Sequence, residues 1–236
     1  MTEKKKIASI SIIVPVYNER DTILDILAKI KDAEVGKLRK EILLIDDGST
    51  DGTKEILRKV NNVKVFFHEN NKGKGAAVRT GLQHASGDVL LIQDADLEYN
   101  PEEYKNLLGP IIAERADVVY GSRFSKGKIF NKNMYYSHCV GNMILTNVTN
   151  LLYGAKLEDM ETCYKIMRKE VLEGMELKSM RFEIEPELTA KILKKGIKIE
   201  EVPISFAPRG FHEGKKINWK DGIVALWTLM KYKIKD

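Results

Sequence analysis

Four short runs of β-branched and leucine-type side chains, each closed by a polar turn, limit what this chain can fold into more than any other feature. Ile10 to Val16, Glu41 to Ile45, Val63 to Phe67 and Val89 to Gln93 read as strands, the most apolar of them buried on both faces. Stretches of helical period lie between them. Ile23, Leu24, Leu27 and Ile30 share one face behind Asp21, the expected cap. Thr50 or Asp51 is expected to start a helix holding Ile56, Leu57 and Val60, and Ala76 to Ala85 a third. A further strand is expected at Val118 to Tyr120. Strand and helix alternating over short connections predict an α/β fold, a mostly parallel central sheet flanked by helices. A length of 236 residues, 43% of them hydrophobic, suffices for one such domain with a small appendage.

The strand ends are acidic. Glu19 follows the first, Asp46 and Asp47 the second, Asp94 and Asp96 the fourth. In a doubly wound sheet those carboxyl ends converge on one crevice, where ligands bind. Two carboxylates one residue apart on extended backbone face the same side and repel unless a cation compensates them. Oxygen-only ligands favour a hard ion such as Mg²⁺ or Mn²⁺, which commonly bridges carboxylates to a substrate's phosphates. An isolated DxD also fits a loop of solvated acids, and capping explains part of the segment 46–53. Three acidic clusters at three strand ends are what suggest a site. Gly73 and Gly75 satisfy neither a dinucleotide fingerprint nor a P-loop. Lys72, Lys74 and Arg79 are cations near that turn that could meet phosphates.

Two cysteines, Cys139 and Cys163, without CxxC spacing, and four scattered histidines argue against a disulfide scaffold or a zinc site. The basic N-terminus leads into a strand rather than a signal-peptide hydrophobic region, so a cytoplasmic location is expected. The net charge of +5 is uneven, with eleven Lys/Arg against five Asp/Glu from Lys191 onward. Such a tail can meet phosphorylated substrates or an anionic membrane; no helix-turn-helix, zinc-finger or RNP pattern supports nucleic acid. Between Lys132 and Lys156 there is no charged residue. Met134, Tyr135, Val140, Ile144, Leu145, Val148, Leu151 and Leu152 supply apolar surface there, while Asn142, Thr146 and Thr149/Asn150 form a polar stripe at helical spacing. That polarity predicts a helix packed in the protein or lying against lipid rather than spanning a bilayer. Trp219 to Tyr232 is similar, with Trp219, Ile223, Leu226, Trp227 and Met230 on one side and lysines flanking it. The expected division is a catalytic domain over 1–210 and an amphipathic segment, a candidate for peripheral membrane attachment, over 211–236.

Taken together, Ile13 to Glu19, Asp46 to Thr53, Asn71 to Ala77 and Asp94 to Leu97 resemble family 2 glycosyltransferases of the GT-A fold, a Rossmann-like nucleotide-diphospho-sugar transferase fold. Gly121 to Arg123, Asp159 to Lys165, Phe182 to Glu187, Glu201 to Ile204 and Arg209 to Lys216 are similar to the dolichol/polyprenyl-phosphate mannosyl- and glucosyltransferases, so the resemblance covers nearly the whole chain. It implies that Pro15, Tyr17, Glu19, Asp47 and Lys74 bind the nucleotide sugar, with Asp47 placed for the base. Asp94, Asp96 and Glu98 would bind Mg²⁺ or Mn²⁺, Glu98 standing where mannosyl relatives have Gln. Arg123, Arg209 and Lys215 would hold the acceptor phosphate or close over phosphates, and Asp159 would be a base or an acceptor-positioning acid, unless it merely caps a helix before Glu161. The expected reaction is inverting, metal-dependent hexosyl transfer from GDP-mannose or UDP-glucose to a polyprenyl phosphate. A soluble saccharide or small phosphorylated acceptor is the alternative, and a nucleotide-binding protein without transfer activity a further one.

Overall fold

The computed structural model describes residues 6–124, 136–209 and 219–235. All five expected strands form: β1 (Ser9–Val16), β2 (Arg39–Asp46), β3 (Lys64–Phe67), β4 (Val89–Ile92) and β5 (Val118–Ser122). Two more, β6 (Lys165–Arg168) and β7 (Ile199–Pro203), complete a seven-stranded sheet in the order β3-β2-β1-β4-β6-β5-β7. Only β6 runs antiparallel to its neighbours.

Side chains alternate across the sheet, so β1 feeds two cores. Ile10, Ile12, Val14 and Val16 pack with α1 (Ile23–Asp32) and α4 (Tyr104–Ile112) on one face. Ile13 packs with α3 (Lys74–His84) and α6 (Ile184–Lys194) on the other. Each fully buried isoleucine is worth roughly 1.5–3 kcal/mol over exposure. The register aligns Val16 with Asp46 and Ile13 with Ile92, which brings the loops after β1, β2 and β4 out along one edge.

Helix starts differ from expectation. Asp21 does not cap α1; Thr22 precedes the first turn and its hydroxyl instead donates to Glu19 Oε2 (2.8 Å) and the Ala95 carbonyl (3.1 Å). Short helix α2 (Thr53–Leu57) begins after Gly52, although Asp51 Oδ1 does accept from the Thr53 N–H at 3.0 Å. Helix α3 starts at Lys74 rather than Ala76 because a neighbouring segment caps it: the Gly75 and Ala76 N–H groups donate to the Arg181 and Met180 carbonyls. That approach requires glycine, since a Cβ on Gly75 would lie 2.7 Å from the Ser179 carbonyl oxygen.

Helices α5 (Tyr136–Tyr153) and α7 (Trp219–Ile234) add a third cluster against α6, in which Leu145, Met160, Ala190, Ala225, Leu229 and Tyr232 meet. The polar stripe of α5 points inward. Asn142, Thr146 and Thr149 are buried, whereas Met143, Ile144 and Leu151 are exposed. On α7, likewise, Trp219, Ile223, Trp227 and Met230 face outward, Trp219 being 73% exposed. Among the described residues no helix is long and apolar enough to cross a membrane.

Candidate active site

The carboxyl edge of the sheet carries three connected groups of charges. The first surrounds Arg209. Its guanidinium forks onto both oxygens of Glu19 (3.0 and 3.1 Å) and reaches Asp96 Oδ2 at 2.7 Å, while its backbone N–H donates to Glu98 Oε1 at 2.7 Å. A residue after β7 thus joins the ends of β1 and β4. Planar, two-pronged donation to carboxylates is what arginine does best.

The second group is centred on Lys74, at the start of α3. Its ammonium lies 2.7 Å from Asp94 Oδ1, 3.3 Å from Glu185 and 3.0 Å from Cys163 Sγ. Glu185 in turn pairs with fully buried Lys165 at 2.7 Å, so charges alternate from Asp94 into the core. Lys74 is therefore an ion-pair partner of Asp94; Arg79, by contrast, donates to the Lys178 carbonyl.

The expected extended Asp94–Asp96 segment does not form. Strand β4 ends at Ile92 and the chain bends through Asp96, and the two acids pair with different cations, Asp94 with Lys74 and Asp96 with Arg209. Their electrostatics diverge accordingly. Burial raises the Asp94 pKa, but Lys74, Cys163 and Arg209 outweigh it and hold the group below its ordinary value. Burial, with Asp94 and Glu98 nearby, pushes Asp96 up to about 7 despite Arg209. Gln93, fully buried, holds this turn from behind: its amide donates to the Asp94 carbonyl at 2.9 Å and its oxygen accepts from Tyr104 and Tyr164.

The third group is Arg123 and Asp159. Arg123 Nε and Nη2 donate to Asp159 at 2.7 and 2.8 Å, its backbone N–H at 3.0 Å, and Asn142 of α5 adds a fourth donor at 3.0 Å. No helix follows Asp159, so it is not a cap. A carboxylate with four donors has its acceptor capacity taken. Asp159 therefore orients Arg123, whose guanidinium lies 5.2 Å from the Phe206 ring centre. Tyr99 links this group to the DxD turn, accepting from the Cys163 N–H at 3.2 Å and stacking obliquely on Phe206.

Asp47 is only 2% exposed and already holds three partners: His68 Nδ1 at 2.7 Å, the Lys72 N–H at 3.0 Å and the Gly73 N–H at 2.7 Å. It fixes the turn that leads into Lys74. Pro15 and Tyr17 sit half-buried at the end of β1. Lys215 lies outside the described residues.

Among the described residues no three His, Cys, Asp or Glu side chains form a ready-made metal cage. The donor set still fits a hard divalent ion, which typically takes one or two carboxylates and draws its remaining ligands from substrate phosphates and water. Asp94 and Asp96 are such carboxylates, and each is balanced by a protein cation.

Comparison with known proteins agrees with this architecture. The family model described as Glycosyl transferase family 2 matches residues 11–175. A dolichol-phosphate mannosyltransferase from Pyrococcus furiosus is 35% identical over 210 residues, 87% of this chain and 58% of that protein, so the chain spans little more than half of it. A UDP-N-acetylglucosamine–dolichyl-phosphate N-acetylglucosaminyltransferase from Methanococcus voltae is 29% identical over 95% of this chain and 96% of its own length. A crystal structure of glucosyl-3-phosphoglycerate synthase from Mycobacterium tuberculosis with Mg²⁺ and UDP superposes with a TM-score of 0.72 at 21% identity, covering 97% of this chain and 80% of that one. At that identity the likeness is one of fold, the GT-A fold. With the sheet order, the acidic edge and a family match over most of its length, the chain belongs to glycosyl transferase family 2.

Proposed function

We propose that this chain is an inverting, metal-dependent hexosyltransferase that moves a sugar from a nucleotide diphosphate donor to a polyprenyl phosphate. One observation carries the acceptor assignment. Helix α5 is polar toward the site, where Asn142 secures Asp159 and hence Arg123, and apolar toward the outside, where Met143, Ile144 and Leu151 are exposed. Together with Trp219, Ile223 and Trp227 of α7, this gives an outward apolar face on the same helix layer that supports Arg123. A face of that kind suits a lipid surface that presents the acceptor. The named activities of the Pyrococcus and Methanococcus relatives support the same acceptor class.

Charge supplies the mechanism. Asp94 and Asp96, with Glu98 beside them, would hold Mg²⁺ or Mn²⁺, which stabilises the negative charge growing on the departing nucleoside diphosphate. Arg209, held by Glu19 and Asp96, is a cation that would meet the donor's phosphate oxygens. Arg123, oriented by Asp159, would grip the acceptor phosphate. A phosphomonoester, with a second pKa of about 6, is already anionic at neutral pH and needs positioning more than deprotonation. Asp159, with its lone pairs engaged, fits the positioning part rather than that of a base. Pro15, Tyr17 and Glu19 would flank the nucleotide, and Asp47, its oxygens engaged by His68, Lys72 and Gly73, would shape the turn beside it.

A soluble phosphorylated acceptor is the second reading. Structural neighbours crystallised with phosphoglyceric acid favour it, and Arg123 would serve either phosphate. Acceptor competition separates the two: with GDP-mannose, UDP-glucose and UDP-N-acetylglucosamine as donors, label is expected on polyprenyl phosphate and not on phosphoglycerate. The reverse pattern would replace the first reading with the second.

A further inference from the structure

Residues 159–163 connect two parts of the site. At one end Asp159 holds Arg123; at the other Cys163 Sγ touches Lys74, which is paired with Asp94. Glu161 lies midway. Its backbone N–H is fixed by Asn142 Oδ1 at 3.2 Å, the same side chain that secures Asp159 through its amide nitrogen. Its carboxylate Oε1 is shielded from solvent and has no hydrogen-bond partner among the described residues. Buried carboxylate oxygens are nearly always bonded, and an exception calls for a ligand, an ion or a role in function.

The charges around Glu161 are Lys165 and Arg123, which favour its ionised form, and Glu185 and Asp159, which oppose it. Burial outweighs the cations and pushes the carboxyl up to about 7. Among the described residues no hydrogen-bond partner meets Oε1, and Lys165 is spent on Glu185 and on the Met160 carbonyl. In hexosyl transfer, the group that passes between a donor diphosphate at Asp94 and an anionic acceptor at Arg123 is the sugar. Its hydroxyls are donors, and a carboxylate is an acceptor.

We propose that Glu161 accepts a hydrogen bond from a hydroxyl of the hexose in transit, orienting the sugar and helping to decide which hexose is used. The inference rests on the reading of the chain as a nucleotide-sugar transferase. A charge-assisted bond of this kind is stronger than a neutral one, and a site built around a substrate hydroxyl rejects analogues that lack it.

The test uses the full chain, with E161Q and E161A beside wild type. Four readouts are needed: transfer kinetics with nucleotide hexoses that differ at single hydroxyls, affinity for the free nucleoside diphosphate, the pH profile, and Tm. The expected result is a loss of kcat/KM on the order of 100-fold for the preferred donor in E161Q, with flattened discrimination among epimeric and deoxy donors. Affinity for the nucleoside diphosphate stays within about twofold, the acid limb of the profile shrinks to the part that Asp96 sets, and Tm rises because a neutral amide replaces a half-buried acid. Wild-type kinetics and donor preference in E161Q would overturn the proposal. So would nucleotide affinity falling in step with activity, which would make Glu161 a support of the nucleotide site. Absence of transfer by the wild-type chain would overturn the parent reading and this proposal with it.

Discussion

Arg209 stands among Glu19, Asp96 and Glu98 as the protein's own counter-ion, and a divalent metal has to compete with it for Asp96. Removing a competitor tightens what it competes with. Arg209→Gln is therefore expected to bind Mn²⁺ about fivefold more tightly without donor, roughly 1 kcal/mol, as read by Mn²⁺ electron paramagnetic resonance. Its kcat should fall, because the same guanidinium no longer meets phosphate. Weaker Mn²⁺ binding would show that Arg209 only stabilises the loop. At this scale the sequence discloses the acids that follow apolar runs, because a charge after a strand stands out. It hides Gln93, Glu185 and the shielded Oε1 of Glu161, since a buried polar group is written with the same letter as a solvated one. Asp159 illustrates the difference: its letter allows a base, and only its four donors show that it orients Arg123.

Legibility at the level of elements follows the same physics. Strands β1, β2 and β4 are plain because apolar side chains cover both faces of a central parallel strand. Strand β6 escapes notice because it opens with Lys165 and closes with Arg168, both buried and paired, Lys165 with Glu185 and Arg168 with Asp117. The start of α3 is invisible from local sequence, its caps being carbonyls from residues 180 and 181. Helix α5 is legible as amphipathic but inverted in sense, with its polar stripe committed to Asp159, Met160 and Leu157. The outward apolar faces of α5 and α7 lead to a direct expectation. Trp219→Ser with Trp227→Ser should reduce flotation with anionic liposomes at least about fivefold while leaving Tm within a few degrees, as both rings are more than half exposed. Unchanged flotation would mean that this face is covered by something other than lipid. Gly75→Ala, by contrast, should lower Tm by several degrees, since a new methyl meets the Ser179 carbonyl and overpacking costs roughly 1–3 kcal/mol.

For the whole molecule, acids wholly or partly withdrawn from solvent set the response to pH. Burial is the main cause that pushes both Glu161 and Glu201 up to about 7. Unfolded carboxyls titrate near 4, so between about pH 4 and pH 7 the folded chain binds more protons than the unfolded one, and stability falls as pH rises through that window. Glu41 and Glu187 act in the opposite sense. Burial works against them, but hydrogen bonds from Lys64 and Ser11, and from Lys191 and Ser179, hold both at about 2. Their contribution is complete above about pH 4 and fades only as pH falls toward about 2. The expected outcome is a metal-free protein with a higher Tm at about pH 5.5 than at pH 7.5, a difference that E161Q reduces. The same crevice is where, in the proposed reaction, the hexose of a nucleotide sugar passes to a lipid phosphate beside Arg123 while the nucleoside diphosphate leaves. The most direct measurement follows label from the donor sugar into organic-extractable polyprenyl phosphate, for wild type and for Asp96→Ala of unchanged circular dichroism, with Mg²⁺ or Mn²⁺ and with chelator. Label is expected in the organic phase only for wild type with metal; full transfer in chelator, or label that never leaves the aqueous phase, would rule out metal-dependent transfer to a lipid phosphate.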